Sequence, residues 1–218
     1  MGGLVYHVLN RAAGRATLFE KDADYEAFER VLAEAWRREP MRIVAYCVMP
    51  NHWHMVLWPR RDDELSEFLR WLTVTHTQRL HANRHTAWSG PLYQGRFKSF
   101  PVQQDAHVLR VCRYVERNAL RAKLVGRAEA WRWCSAWRRG RKVEDRAFVL
   151  MPEAWPTKPP RDWLVTLNRA ETREELDALR QSVKRGSPYG EATWRERTAK
   201  RLGLESSLRP RGRPRKEE

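Results

Sequence analysis

Short apolar segments alternate with longer amphipathic ones over the first 140 residues of the chain. Three runs rich in β-branched and aromatic residues, at 4–10, 42–48 and 52–58, predict strands. Between them apolar residues recur at helical spacing, which predicts helices from Asp22 or Asp24 to about Glu39 and over 62–81. Because a tight connection at Pro50 joins the second and third strands, these two strands should pair antiparallel.

The pattern continues with residues 91–103, which predict a strand or a hairpin with a bulge at Gly95. Asp105 is then predicted to cap a helix that runs to about Leu120. Strands and helices alternate, yet two of the strands follow each other directly. This combination predicts an α+β sandwich with an antiparallel sheet rather than a parallel doubly wound one.

The character of the sequence changes near residues 140–150. A basic run at 138–141 and a proline-rich segment at 152–160 precede two short predicted helices, 171–184 and 191–202. The last residues are basic and low in complexity, which predicts disorder in the free protein. We therefore expect one domain over 1–140, a basic helical extension over 141–208 and a disordered tail over 209–218.

The charge composition restricts the classes of partner that this protein could bind. The 218 residues include 42 Lys and Arg against 27 Asp and Glu, a formal charge of +15. This excess indicates a polyanionic partner, which means nucleic acid, an anionic membrane surface or an acidic protein. A membrane surface is disfavoured because no segment combines a wide apolar face with a lysine-rich one.

The sequence also indicates a reduced, intracellular location. No window approaches 18 consecutive apolar residues, and the N-terminal residues lack the basic region and cleavage site of a signal peptide. Three widely spaced cysteines fit neither a disulfide framework nor a zinc site.

The motif His52-Trp53-His54 is the most specific candidate for chemistry. On a strand, residues i and i+2 point to the same face, so both imidazoles project together while Trp53 faces the other way. Two histidines on one face form a pair of metal ligands. The alternative is two histidines on a half-exposed strand, since such a pair often occurs by chance.

The predicted helix 105–121 carries the second candidate. At 100° per residue, Tyr114 and Asn118 lie one turn apart on a polar face that also carries four arginines, Arg110, Arg113, Arg117 and Arg121. The cations favour a phenolate and attract a phosphodiester, and the amide oxygen of Asn118 suits a hard cation as a third ligand. Periodicity alone favours the other interpretation, a solvated basic face with an exposed tyrosine.

Two further segments indicate nucleic-acid contacts. In residues 93–101 basic and aromatic side chains alternate, so Arg96 and Lys98 suit phosphates while Tyr93 or Phe97 suits stacking on unpaired bases. The alternative is an edge strand with a cationic outer face. In the tail, Arg211 and Arg213 flank a glycine as in a minor-groove arm, for which the alternative is a solubilising tail.

Together these segments resemble the REP-associated tyrosine transposases, domesticated relatives of the IS200-type single-tyrosine transposases in the HUH nuclease superfamily. The resemblance rests on matches in order and spacing over residues 4 to about 137: Val5-Tyr6-His7-Val8 with Asn10-Arg11, Ala45-Tyr46-Cys47-Val48-Met49-Pro50-Asn51-His52-Trp53-His54, Gln94-Gly95-Arg96-Phe97-Lys98-Ser99, and Arg113-Tyr114-Val115-Glu116-Arg117-Asn118 with Leu120-Arg121-Ala122. One small departure is Ala119, where relatives often have proline.

The resemblance implies a ferredoxin-like catalytic domain over 1–140 and a DNA-binding role for the extension. It implies that His52 and His54 bind Mg²⁺ or Mn²⁺, with Asn118 as third ligand, and that Tyr114 is the nucleophile. The implied substrate is single-stranded DNA with a folded REP hairpin, which is nicked and rejoined through a 5′-phosphotyrosine without a nucleotide cofactor. Such a transposase would act in the bacterial cytoplasm at the nucleoid, in DNA transposition and recombination.

Two other functions stay open at this point. A non-catalytic REP hairpin-binding protein would use the basic surface alone. A metal-dependent hydrolase would activate water, with Tyr114 incidental, and the absence of a covalent protein–DNA adduct would distinguish it.

Overall fold

Four antiparallel strands form one sheet in the computed structural model, which describes residues 1–86, 90–141 and 155–209. The sheet has the order β2-β3-β1-β4. The strands are β1 (Val5–Arg11), β2 (Arg42–Met49), β3 (His52–Trp58) and β4 (Lys98–Val102). With one helix after β1 and another after β3, this order is ferredoxin-like, and the predicted α+β class and antiparallel pairing are confirmed.

Two long helices cover one face of the sheet. They are α1 (Asp22–Arg38) and α2 (Glu64–Arg84), close to their predicted ranges. Alternate strand residues, among them Trp53 and Met55, point into this side and are fully buried with Phe28 and Leu72. Since side chains alternate along a strand, His52 and His54 lie on the opposite face, as predicted.

Shorter helices cover the opposite face. Residues 105–121 are one predicted helix, but Arg117 interrupts it, giving α3 (Ala106–Glu116) and α4 (Asn118–Arg121). The predicted cap is confirmed, because the Asp105 side chain accepts a hydrogen bond from the His107 amide at 2.8 Å. The remaining helices are α5 (Ser135–Arg139), α6 (Trp163–Asn168), α7 (Arg173–Arg185), α8 (Ala192–Leu202) and α9 (Glu205–Leu208).

Both edges of the sheet are covered by later parts of the chain. At the β2 edge, the Val48 amide donates to the Trp133 carbonyl at 2.9 Å. At the β4 edge, the Tyr189 amide donates to the Pro101 carbonyl at 2.9 Å, and the Gln103 amide donates to the Tyr189 carbonyl at 3.0 Å. The extension is thus bonded to the sheet, and the edge strands are protected from pairing with other chains.

Residues 91–97 differ from the prediction of a strand or hairpin. Only an isolated bridge between Ala12 and Tyr93 precedes β4 there, and Gly95 has a φ of 134°. Tyr93 is 6% exposed, and its hydroxyl accepts from Trp53 Nε1 at 3.1 Å and contacts His76 Nδ1 at 2.8 Å. The prediction that Tyr93 stacks on bases is therefore wrong, because its ring lies in the core.

Three further observations bear on the sequence predictions. Cys47, Cys112 and Cys134 are buried free thiols. None of the helices in the described ranges is long and apolar enough to cross a membrane. The predicted boundary near 140–150 and the tail from 210 onward lie outside the described residues.

Candidate active site

Two histidines lie side by side on the face of β3 that α3 covers. The rings of His52 and His54 have centroids 5.0 Å apart, and His54 is buried whereas His52 is partly exposed. The same-face geometry predicted from their spacing is therefore present. Burial lowers the pKa of His52 to about 4 and that of His54 well below its usual value, and the cationic Arg11 and Arg121 add to both shifts.

Each of the two rings has its Nδ1 atom engaged. His52 Nδ1 lies 2.6 Å from Asn51 Oδ1, so this nitrogen carries the proton. His54 Nδ1 lies 2.9 Å from His7 Nε2, and the fully buried His7 ring stacks on Phe100. Burial lowers the pKa of His7 to about 3, so this ring is neutral. Neutral imidazoles held through Nδ1 can present Nε2 to a metal ion.

Tyr114 lies on α3 beside the rings of His54 and His7. Its ring centroid is 6.0 Å from that of His54 and 6.3 Å from that of His7. Tyr114 is 8% exposed and Asn118 is 9% exposed. The interpretation as a solvated face with an exposed tyrosine is therefore wrong, because Tyr114 packs against His54 and His7 and Asn118 is also buried.

Arg121 connects Tyr114 to Asn118. Its Nη2 donates to the Tyr114 carbonyl and to Asn118 Oδ1, each at 2.9 Å. Its guanidinium carbon lies 4.2 Å from the centre of the Tyr114 ring, a cation–π contact. The Tyr114 ring thus contacts the imidazoles of His54 and His7 and the guanidinium of Arg121.

The donor set of this site fits a divalent cation. Two neutral imidazoles are available, and the buried Asn118 Nδ2 has no hydrogen-bond partner, so Arg121 holds this amide through its oxygen alone. Across the described ranges no group of three His, Cys, Asp or Glu side chains is placed to hold a metal ion. The remaining ligands would therefore be an amide oxygen, water or substrate phosphate, which suits hard ions such as Mg²⁺ or Mn²⁺.

All four predicted DNA-binding arginines on this helix lie next to the extension: Arg110 interacts with Tyr189, and the other three form hydrogen bonds or ion pairs. Arg113 Nη2 donates to the Arg169 and Ala170 carbonyls at 2.7 and 3.0 Å. Arg117 pairs with Glu171, as does Arg121. Arg110 is exposed. Arg113, Arg117 and Arg121 thus make contacts within the chain that their spacing in sequence does not indicate, and their contact with DNA stays a prediction.

Arg96 and Lys98 are exposed beside the site and line a cleft of about 300 Å³. Its other cationic residues are Arg11 from β1 and Lys184 from α7, and the described lining contains no carboxylate. Arg11 is paired with His52 in the strand register, and residues paired in this way share a face of the sheet. This cationic cleft therefore begins next to the histidine pair.

Sequence reasoning missed His7, Glu171 and Lys184. The alternation of β1 places His7 on one face with Arg11, but only the pairing of β1 with β3 shows that His7 meets His54. Glu171 and Lys184 reach the site through the packing of the extension, for which the sequence holds no local signal. Arg211 and Arg213 lie outside the described residues, so their predicted DNA contact is untested.

A family model described as transposase IS200 like matches residues 1–118, which is more than half of the chain. The chain belongs to this family of IS200-like transposases. The match includes both histidines, Tyr114 and Asn118, and it ends before Arg121 and the extension. No curated protein sequence matches the chain.

Two solved structures are similar to this one. A REP-associated tyrosine transposase bound to a REP hairpin is 18% identical, with a TM-score of 0.54 over 71% of this chain and 92% of the other. A Deinococcus radiodurans R1 protein assigned as a transposase is also 18% identical, with a TM-score of 0.40 over 56% of this chain and 85% of the other. Because the REP-associated transposase is only 18% identical to this chain, its similarity shows a shared fold and nothing more.

Proposed function

We propose that this transposase is a metal-dependent single-stranded DNA transesterase of the HUH class, which nicks and rejoins REP hairpin DNA through a 5′-phosphotyrosine. The observation that carries the proposal is the packing of Tyr114 against His54, with ring centroids 6.0 Å apart. A tyrosine beside a histidine that can hold a metal ion is an arrangement that suits metal-assisted phosphoryl transfer.

Charge and shape support a DNA substrate. The chain carries a net charge of +15, and its cationic cleft begins at His52. Unpaired DNA needs a groove that follows its backbone, and this cleft provides cations from two strands and from α7. The REP hairpin in the similar structure is the reason to propose this substrate rather than another hairpin. Binding to such repeats would place the protein at the nucleoid.

The chemical step follows from the residues present. The bond between Tyr114 Oη and phosphorus forms while the bond from phosphorus to the O3′ oxygen breaks. The proton lost by the phenol is balanced by the one that the departing O3′ oxygen takes up, which leaves a free 3′-hydroxyl and a 5′-phosphotyrosine. Because the covalent link retains the phosphodiester, another 3′-hydroxyl can reverse the step and rejoin DNA without a nucleotide cofactor.

The other site residues would bind the metal ion and hold the DNA backbone. His52 and His54 would hold Mg²⁺ or Mn²⁺ together with Asn118, whose amide oxygen has a second lone pair beside its bond to Arg121. When bound, such an ion neutralises charge on the scissile phosphate. Arg121 places a cation over the Tyr114 ring. The cleft cations, including Arg96 and Lys98, would hold the flanking phosphates.

The test is a search for the covalent adduct. End-labelled single-stranded REP hairpin DNA is incubated with Mn²⁺ or EDTA and run on a denaturing protein gel. We compare the unaltered protein with Tyr114→Phe and with Tyr25→Phe, which removes a similarly buried hydroxyl on the opposite face of the sheet. We expect a metal-dependent labelled protein band for the unaltered protein and for Tyr25→Phe, and none for Tyr114→Phe.

The other outcomes would overturn the proposal in distinct ways. Cleavage that survives Tyr114→Phe without any adduct would identify a metal-dependent hydrolase. Tight binding of several hairpins without any cleavage, in Mn²⁺ and also in Mg²⁺, would identify a non-catalytic DNA-binding protein.

A further inference from the structure

A buried carboxylate of the extension contacts the catalytic helix. Glu171 lies in the connection between α6 and α7, and its side chain is 5% exposed. Its Oε2 accepts from Arg117 Nε at 2.8 Å, and its Oε1 accepts from Arg121 Nη1 at 3.0 Å. One acidic side chain therefore holds two arginines at the end of the helix that carries Tyr114.

Arg121 transmits this contact to the nucleophile. Its Nη1 is bound to Glu171, while its Nη2 donates to the Tyr114 carbonyl and to Asn118 Oδ1. Since both terminal nitrogens donate to protein oxygens, the guanidinium is fixed at its position over the Tyr114 ring. An arginine held in this way provides a positive charge at a fixed position, and its side chain is not free to move toward a phosphate.

Neighbouring contacts fix the segment that carries Glu171. Arg113 donates to two carbonyls just before it, and Arg117 Nη1 donates to the Leu167 carbonyl. Earlier in the extension, Trp163 Nε1 donates to the buried Glu116 at 2.8 Å. The carboxylate is therefore part of a docked surface and has a defined position relative to α3 and α4.

From these contacts we infer that Glu171 is a positioning residue for the transesterification, acting through Arg121. The inference rests on the proposed function. It means that the extension completes the active site, in addition to any DNA contacts that it makes. Both Glu171 and Arg121 lie beyond the residues that the family model matches.

A matched pair of variants tests the inference. Glu171→Gln removes the charge with little change in shape. Glu175→Gln makes the same change four residues later, where the carboxylate lies 3.8 Å from Arg113 Nη1, and glutamine can preserve the capping box with Thr172. We measure the single-turnover rate of adduct formation at saturating DNA, the Kd for the hairpin, and the midpoint of urea unfolding.

We expect Glu171→Gln to slow adduct formation about tenfold, because a small displacement of a positioned group is costly in the transition state. The Kd should change less than about twofold, which is the split between rate and binding that a general loss of structure would not produce. Glu175→Gln should match the unaltered protein in rate. Unfolding midpoints show whether both variants are folded under the assay conditions.

A double-mutant cycle with Arg121→Ala shows whether Glu171 acts through Arg121. We expect Glu171→Gln to have no further effect on the rate in the Arg121→Ala background. The inference would be overturned if the rate reductions of Glu171→Gln and Arg121→Ala multiply in the double variant. An unchanged rate in Glu171→Gln alone would also overturn it. A faster rate or tighter binding would also overturn it, since Glu171 would then compete with DNA for the arginines. If the unaltered protein forms no adduct, it is the proposed function that fails.

Discussion

The cationic cleft leads to a quantitative prediction about salt. Arg11, Arg96, Lys98 and Lys184 line it, and in the described part of the chain no acid neutralises them within the lining. If unpaired DNA follows the cleft, each cation replaces condensed counterions on one phosphate. The logarithm of the binding constant then falls with the logarithm of salt concentration, with a slope of about −0.7 for each phosphate contact on a single strand.

Replacing both cleft lysines, Lys98→Ala with Lys184→Ala, should therefore make this slope less steep by about 1.4. Between roughly 50 and 200 mM salt, the affinity of the double variant should fall about sevenfold less than that of the unaltered protein. The assay is fluorescence anisotropy of a labelled unpaired oligonucleotide over a salt series without divalent ions. The matched control is Lys21→Ala with Lys200→Ala, which removes two exposed lysines outside the cleft.

Equal slopes for the cleft and control variants would refute this reasoning. The cleft cations would then lie away from the DNA backbone, and the strand would take another path to Tyr114. A smaller slope in the control variant alone would indicate a path over α1 and α8.

Three further predictions concern stability. Glu116→Ala should lower the free energy of unfolding by about 3 kcal/mol or more, measured in urea, because the fully buried Glu116 carboxylate pairs with Arg139 and accepts hydrogen bonds from Ser135 and Trp163. Gly190→Ala should speed hydrogen exchange at the Gln103 amide, since an added Cβ would lie 2.5 Å from the Gln103 side-chain oxygen; unchanged exchange would contradict this. The free energy of unfolding should fall as pH drops below 6.5, by up to about 1.4 kcal/mol per pH unit for each of His7 and His76. Burial keeps both neutral in the folded state down to pKa values of about 3 and 4, so only unfolded chains take up protons there, and a urea midpoint that stays flat from pH 6.5 to 5 would contradict it.

The sheet and its helices could be predicted because their signals are local. Alternation and β-branched runs located β1 to β3, and a tight turn at Pro50 determined how β2 and β3 pair. The order and spacing of the motifs shared with the family also located the histidine pair and Tyr114. Residues 91–97 were less predictable, because Tyr93 lies in the core, where its hydroxyl contacts Trp53 and His76.

The environment of the catalytic helix could not be predicted from its periodicity. Four arginines on one face resemble a solvated surface, but residues more than 45 positions away in sequence supply carbonyls and Glu171 to three of them. Long-range packing of this kind leaves no pattern within the helix itself. The contact between His7 and His54 was hidden for the same reason, since it depends on which strands are neighbours.

The most direct test of the account is to locate the covalent bond. The adduct formed with Mn²⁺ is digested with nuclease and trypsin, and peptides carrying a residual nucleotide are identified by mass spectrometry. Trypsin cuts after Arg113 and Arg117, so Tyr114 lies in the peptide 114–117, where it is the only tyrosine. We predict a nucleotide on this peptide, linked through a 5′-phosphate. A nucleotide on a different residue, or cleaved DNA without any modified peptide, would contradict the central claim.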